Sequence, residues 1–133
     1  MSTWLLDGNI LVALAVKNHT HRERCLRWME NVERFATCPV TEGTLLRLHM
    51  LLADDHSSEA AWRTLNVYRN HPKHVFWPDN FSCSEISPAR LTGYRQLTDA
   101  WLVELARRKG VKLATLDEPL SALWPEVAVL VPV

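Results

Sequence analysis

Apolar residues come in short runs broken by turn-forming residues, and the spacing inside the runs alternates between that of a buried strand and that of a helix. Trp4-Leu5-Leu6, closed by Asp7-Gly8-Asn9, predicts a strand and a turn, and residues 10–16 then predict a helix. Thr20 and Glu23 have the spacing of a capping box, and Cys25, Leu26, Met29 and Val32 recur at helical intervals, so a second helix is predicted to about Glu33. Residues 35–38 predict a brief buried strand stopped by Pro39, followed by a helix capped by Thr41 whose apolar stripe is Leu45, Leu46, His49 and Leu52.

After a polar break, Trp62, Leu65 and Tyr68 mark another helix that must stop near Asn70, because Pro72 follows; residues 74–77 are a third strand. Residues 78–93 scatter Asp, Asn, Ser, Pro and Gly among single apolar positions and predict irregular structure with at most one short helix. Thr98 caps a predicted helix in which Asp99, Leu102, Val103 and Ala106 share one face, with Gly110 as its stop. Residues 112–116 form a strand ending at Asp117, Pro119 starts a short helix, and residues 127–131 make a closing strand. Helices alternating with short apolar strands predict an α/β fold with a parallel sheet covered on both faces.

The length of 133 residues suits one domain spanning 1–133, and 47% hydrophobic with 23% charged residues is a globular composition. Fifteen basic residues balance fifteen acidic ones, so no net field announces a nucleic-acid partner and any such partner must be argued locally. The apolar run at 10–16 is about a third of a bilayer span and follows Asp7 and Asn9 rather than a basic stretch, which predicts a cytoplasmic protein with no membrane partner. Cys25, Cys38 and Cys83 lack metal-site spacing and are expected as reduced, buried thiols; the histidines lack the spacing of a helical zinc site, and His49 is expected as a satisfied core residue.

Ligands of open α/β sheets bind outside the carboxyl ends of the strands, which gives Asp7 and Asp117 weight as strand-end acids. Glu42 and Asp99 lie in the first turns of predicted helices, aligned with stripes that face the interior. Two unit charges about 4 Å apart repel by about 4 kcal/mol at an effective dielectric of 20, so converging carboxylates call for a cation. Magnesium prefers oxygen ligands, keeps several waters and joins carboxylates to phosphate, which points to hydrolysis of a phosphodiester.

Four segments resemble, in order, the four acidic motifs of PIN-domain ribonucleases: Leu5-Leu6-Asp7-Gly8-Asn9-Ile10-Leu11, Cys38-Pro39-Val40-Thr41-Glu42, Thr98-Asp99-Ala100-Trp101-Leu102 and Leu113-Ala114-Thr115-Leu116-Asp117. His74-Val75-Phe76-Trp77-Pro78-Asp79 and Gly93-Tyr94-Arg95-Gln96-Leu97-Thr98-Asp99 further resemble segments of the VapC-type toxins of type II toxin–antitoxin pairs. The resemblance implies a PIN-like three-layer sandwich with a five-stranded parallel sheet, a magnesium or manganese site, RNA cleavage, a homodimer and a cognate VapB-like antitoxin. Carried over by position, Asp7, Asp99 and Asp117 would be the metal-site carboxylates. Glu42 would complete the catalytic set and help position water, with Asn9 and Thr115 in support. Gly8 departs from the family's bulkier residue, and Glu118-Pro119 from its frequent basic residue, which removes positive charge beside the pocket.

Other readings stay open. Asp79 fits a turn as well as an extended acidic site, while Arg47 and Arg95 suit either RNA phosphate or neutralisation of nearby acids. Six tryptophans are many for this length; core or dimer packing is expected for Trp4, Trp28 and Trp62, and Trp77 or Trp101 is a candidate for RNA or antitoxin contact. The alternatives to a nuclease are a PIN-like module that binds RNA or protein without cutting, and a haloacid-dehalogenase-type phosphatase using Asp7 as nucleophile. Asn9 stands where the phosphatase pattern needs an acid.

Overall fold

A computed structural model describes residues 2–133. Five strands, β1 (Thr3–Leu6), β2 (Arg34–Thr37), β3 (His74–Phe76), β4 (Lys112–Thr115) and β5 (Ala128–Leu130), pair parallel in the order β3-β2-β1-β4-β5. The helices are α1 (Gly8–Ala15), α2 (Arg22–Met29), α3 (Pro39–Leu52), α4 (Ser58–Arg69), α5 (Leu97–Lys109) and α6 (Glu118–Leu123).

Strand alternation sorts the core into two layers. Leu5, Ala36 and Leu113 pack with α5, Leu120 and Trp124 on one face, whereas Leu6, Phe35 and Ala114 pack with α1, Cys25 and Leu45 on the other. Every β residue of these pairs is buried on its own side, so the sheet is apolar on both faces and the predicted three-layer sandwich forms. The chain runs outward from β1 through β2 to β3, then returns to lay β4 and β5 on the opposite side. That reversal puts the switch point of the sheet at the carboxyl ends of β1 and β4, where Asp7 and Asp117 stand.

Several local expectations are corrected. Thr20 does not cap α2; the cap is His21, without a side-chain cap bond, its amide donating back to His19 Nδ1, and the helix ends at Met29 rather than near Glu33. Pro39 is the first helical residue of α3 rather than only a strand stop, so the cap is Cys38, whose amide donates to the Thr41 hydroxyl one turn on. Thr98 lies inside α5, capped at Gln96. The α3 stripe is buried at Thr41, Leu45 and His49, while Leu52 at its end is half exposed. Trp62 is also half exposed rather than core, and Cys83 is exposed.

Gly8 has a structural reason. A Cβ there would lie 2.5 Å from both Cβ and Cγ2 of Thr44, so α1 and α3 cross too closely for any side chain. The missing side chain lets α1 and α3 pack closely beside Asp7. Gly110 ends α5 at φ 67°, the left-handed geometry that glycine adopts without cost.

Candidate active site

Asp7 leaves β1 and caps α1, and its amide pairs with the Ala114 carbonyl on β4. Thr115, fully buried at the end of β4, donates its hydroxyl to Asp7 Oδ2 at 2.8 Å. Thr115 Oγ1 in turn accepts from the Asp117 amide at 3.0 Å and from Asn9 Nδ2 at 3.4 Å. Asn9 Oδ1 in turn accepts the Leu116 amide at 3.3 Å. One threonine and one asparagine thus lock the two strand ends together and set the direction of each hydrogen bond.

Asp117 caps α6 by accepting the Leu120 amide on Oδ1 at 3.1 Å. Asp99 comes from the first turn of α5, whose amino end reaches this edge because the helix runs back against the strands it joins. Among the described residues Asp99 receives no hydrogen bond, and none of Asp7, Asp99 and Asp117 has a basic partner at salt-bridge distance.

The electrostatics follow from that arrangement. Burial pushes the Asp7 carboxyl above its ordinary range and the Asp117 charge adds to the rise, with the Thr115 bond and the Gly8 and Asn9 amides opposing. Burial, then the charges of Asp7 and Asp117, push Asp99 up to about 7. The charges of Asp7 and Asp117 thus both bear on Asp99, and that of Asp117 bears on Asp7.

Glu42 stands apart from this trio. It accepts from the Thr37 hydroxyl at 3.1 Å and pairs with Arg69 at 3.5 Å, while His74 Nε2 lies 2.7 Å from the same hydroxyl. Since Thr37 spends its proton on Glu42, His74 must be the donor at Nε2. Arg69 also lies 4.4 Å over the Phe76 ring, which fixes its approach. Thr37, His74 and Arg69 were not singled out from the sequence. A usable signal was the repeated Ala-Thr at the ends of two apolar strands, Ala36-Thr37 and Ala114-Thr115, since a buried hydroxyl needs a partner.

The remaining candidates separate cleanly. Trp101 is buried and stacks on Phe81 with centroids 4.7 Å apart, so it offers no surface for RNA or antitoxin. Trp77 is partly buried under Lys109, and Asp79 is an exposed residue bonded to none of the site acids. Arg47 and Arg95 are exposed and form no ion pair among the described residues, so neither neutralises the acids. His49 is buried but only half satisfied: Nε2 meets the Thr64 hydroxyl at 3.0 Å and Nδ1 has no partner.

Among the described residues, no three His, Cys, Asp or Glu side chains are gathered closely enough to enclose an ion by themselves. What the trio offers is a set of hard oxygen donors with unbalanced charge, which suits a cation that keeps much of its water.

A family model described as "PIN domain" matches residues 4–123. The chain is 42% identical over 131 residues to Ribonuclease VapC29 of Mycobacterium tuberculosis, covering 98% of this chain and 97% of that protein. It is 39% identical over 124 residues to Ribonuclease VapC38 of the same species, covering 90% and 88%. Among solved structures it resembles M. tuberculosis VapC20, described as a sarcin-ricin loop cleaving toxin, with a TM-score of 0.69 at 16% identity over 91% of this chain and 95% of that one. It also resembles VapBC2 from Rickettsia felis bound to a promoter DNA fragment, with a TM-score of 0.64 at 13% identity over 96% and 98%. With its strand-end aspartates in place and near-full-length relatives at this identity, the chain belongs to the PIN-domain family, in the VapC ribonuclease group.

Proposed function

We propose that this protein is a magnesium-dependent endoribonuclease, with manganese able to substitute, acting as the toxin of a type II toxin–antitoxin pair. The observation that carries the reading is the placement of Asp7 and Asp117 at the ends of β1 and β4, with Asp99 in the first turn of α5 under the charge of both, and with no basic partner for any of the three among the described residues. A divalent ion held by these carboxylates would supply charge neutralisation for a phosphodiester and acidify a water.

The chain's own groups divide the remaining work. Thr115 and Asn9 hold Asp7 and the Asp117 backbone rigid, so the oxygens need not reorganise when substrate arrives. Asp99 keeps a proton near neutrality in the metal-free chain, and that proton must leave before the carboxylate can act as a ligand. Glu42, anchored by Thr37 and Arg69, completes the acidic edge and acts indirectly, orienting water from the rim.

Asn9 argues against the phosphatase reading, since both ends of its amide are committed to the edge of β4. A silent scaffold would have no need for three unpaired acids whose repulsion costs stability. A VapB-like antitoxin is proposed because relatives of this fold have been solved in complexes such as VapBC2 and FitAB. Half-exposed Leu52 and Trp62 and the more exposed Leu51 and Val67 give this chain apolar surface for a partner or a second copy. No described helix is long and apolar enough to cross a membrane, in keeping with the cytoplasmic setting proposed for such a pair.

Analysis of the cleaved ends tests the chemistry. Attack by water leaves a 5′-phosphate and a 3′-hydroxyl; a 2′,3′-cyclic phosphate would mean that the RNA 2′-oxygen is the nucleophile and would exclude the proposal.

A further inference from the structure

The turn that feeds α5 carries an unexplained pair of side chains. Tyr94 is 82% exposed, and Arg95 holds its guanidinium 5.7 Å from the Tyr94 ring centroid while donating from Nε to the Tyr94 hydroxyl at 3.2 Å. Nothing in the core accounts for an aromatic ring in this position. Arg95, like Arg47, is in no ion pair among the described residues, so its charge is not spent on an acid of this chain.

The turn itself is braced. Thr92 donates from both its amide and its hydroxyl to Gln96 Oε1, at 2.6 and 3.2 Å, and the Gln96 amide returns to the Gly93 carbonyl at 3.3 Å. A 3-10 turn at Tyr94–Gln96 then runs without a break into α5, which presents Asp99 in its first turn. At about 2.0 Å of rise per residue through the 3-10 turn and about 1.5 Å in the helix, Tyr94 lies about 9 Å along the axis from Asp99. That is the length of two or three stacked nucleotides at about 3.4 Å each. The amino end of α5 is at the carboxyl edge of the sheet, so the pair and the three aspartates share one side of the molecule.

We infer that Tyr94 and Arg95 are substrate-positioning residues that grip an unpaired stretch of RNA beside the cleaved bond. Tyr94 stacks a base and Arg95 bridges to a phosphate, and the braced turn fixes both relative to Asp99. This rests on the nuclease reading and adds to it two residues that hold the substrate. Stacking on a tyrosine needs a base free of its duplex, so single-stranded loops or bulges fit the grip and a continuous A-form helix does not. Arg95 also supplies the positive charge that the overall composition lacks and that Glu118 and Pro119 do not provide after Asp117.

The test uses the full chain with magnesium, a fluorescein-labelled single-stranded RNA of mixed sequence, and the same RNA annealed to its complement. Tyr94→Ala is expected to raise KM on the single strand about 10-fold with kcat within about 2-fold, and Tyr94→Phe to restore the wild-type KM. Arg95→Ala is expected to raise KM and to lower the slope of log affinity against log salt by about one, with Arg95→Lys keeping that slope. Thermal unfolding of the variants at wild-type temperature separates grip from fold. Wild-type cleavage with KM unchanged in both alanine variants overturns this inference alone, as does equal cleavage of the duplex. Unchanged RNA kinetics together with a weakened hold on a co-expressed partner protein would assign the pair to a protein contact instead. A wild-type chain that leaves both RNAs intact defeats the nuclease reading, and this one with it.

Discussion

Thr115 and Asp7 are 108 positions apart in sequence, yet the Thr115 hydroxyl is donated to Asp7 Oδ2 at 2.8 Å from a position with no solvent exposure. The threonine also accepts the Asp117 amide, so it ties two candidate metal-site acids into one rigid unit. Thr115→Val keeps the shape and removes all of these bonds. It is expected to reduce RNA cleavage about 10- to 100-fold, the usual cost of losing a residue that orients a ligand. It should also lower stability by about 1–3 kcal/mol by leaving the Asp117 amide without an acceptor. Steady-state kinetics and urea unfolding check both parts; full activity would show that the orientation of Asp7 does not matter.

The metal-free chain should lose stability as pH rises. Asp99 sits at about 7 in the folded protein against 3.8 for the free side chain, so between those values the folded state binds more protons than the unfolded one. Asp7 is raised as well and contributes with the same sign. Unfolding with chelator present is therefore expected at a lower temperature at pH 8 than at pH 5. Added magnesium should narrow the difference, because the cation replaces the protons. A melting temperature that rises from pH 5 to pH 8 without metal would contradict the placement of these acids.

Gly8→Ala tests the close approach of α1 and α3. Its new methyl would meet Thr44 at 2.5 Å, and overpacking of this kind costs about 1–3 kcal/mol. Thermal unfolding should show the loss, with a further drop for Gly8→Val. A neutral Gly8→Ala would mean that the helices part easily.

Glu42→Gln should separate Glu42 from the aspartate trio. Its ion pair with Arg69 is partly exposed, so the stability change is expected below about 1 kcal/mol. Cleavage is expected to fall about 10-fold, far less than for Asp99→Asn, because Glu42 is held by Thr37 and Arg69 and shares no bonding partner with the aspartates. Equal losses in the two variants would place Glu42 among the metal ligands.

Strand and helix order was legible because both periods are written plainly: residues 4–6 and 112–116 read as strands, and Asp99, Leu102, Val103 and Ala106 as one helix face. Asp7 and Asp117 stood out because strand ends at a switch point are where such folds bind ligands. The caps were misread at Thr20, Thr41 and Thr98 for a common reason. Each threonine had the right chemistry for a cap, but the neighbouring chain decided where the helix began, through His19 at one site and Pro39 at another. The partners of Glu42 were hidden because Thr37, His74 and Arg69 come together only across β2, β3 and α4. Trp62 illustrates a further limit: helical spacing says which face a residue takes, not whether another element covers that face.

The central claim is that Asp7, Asp99 and Asp117 hold a cation on which RNA hydrolysis depends. Its most direct test is one cleavage assay in four conditions: wild type with magnesium, wild type with excess chelator, Asp7→Asn and Asp99→Asn. The account predicts cleavage in the first and its loss, by about 100-fold or more, in the other three. Equal cleavage in all four would contradict it.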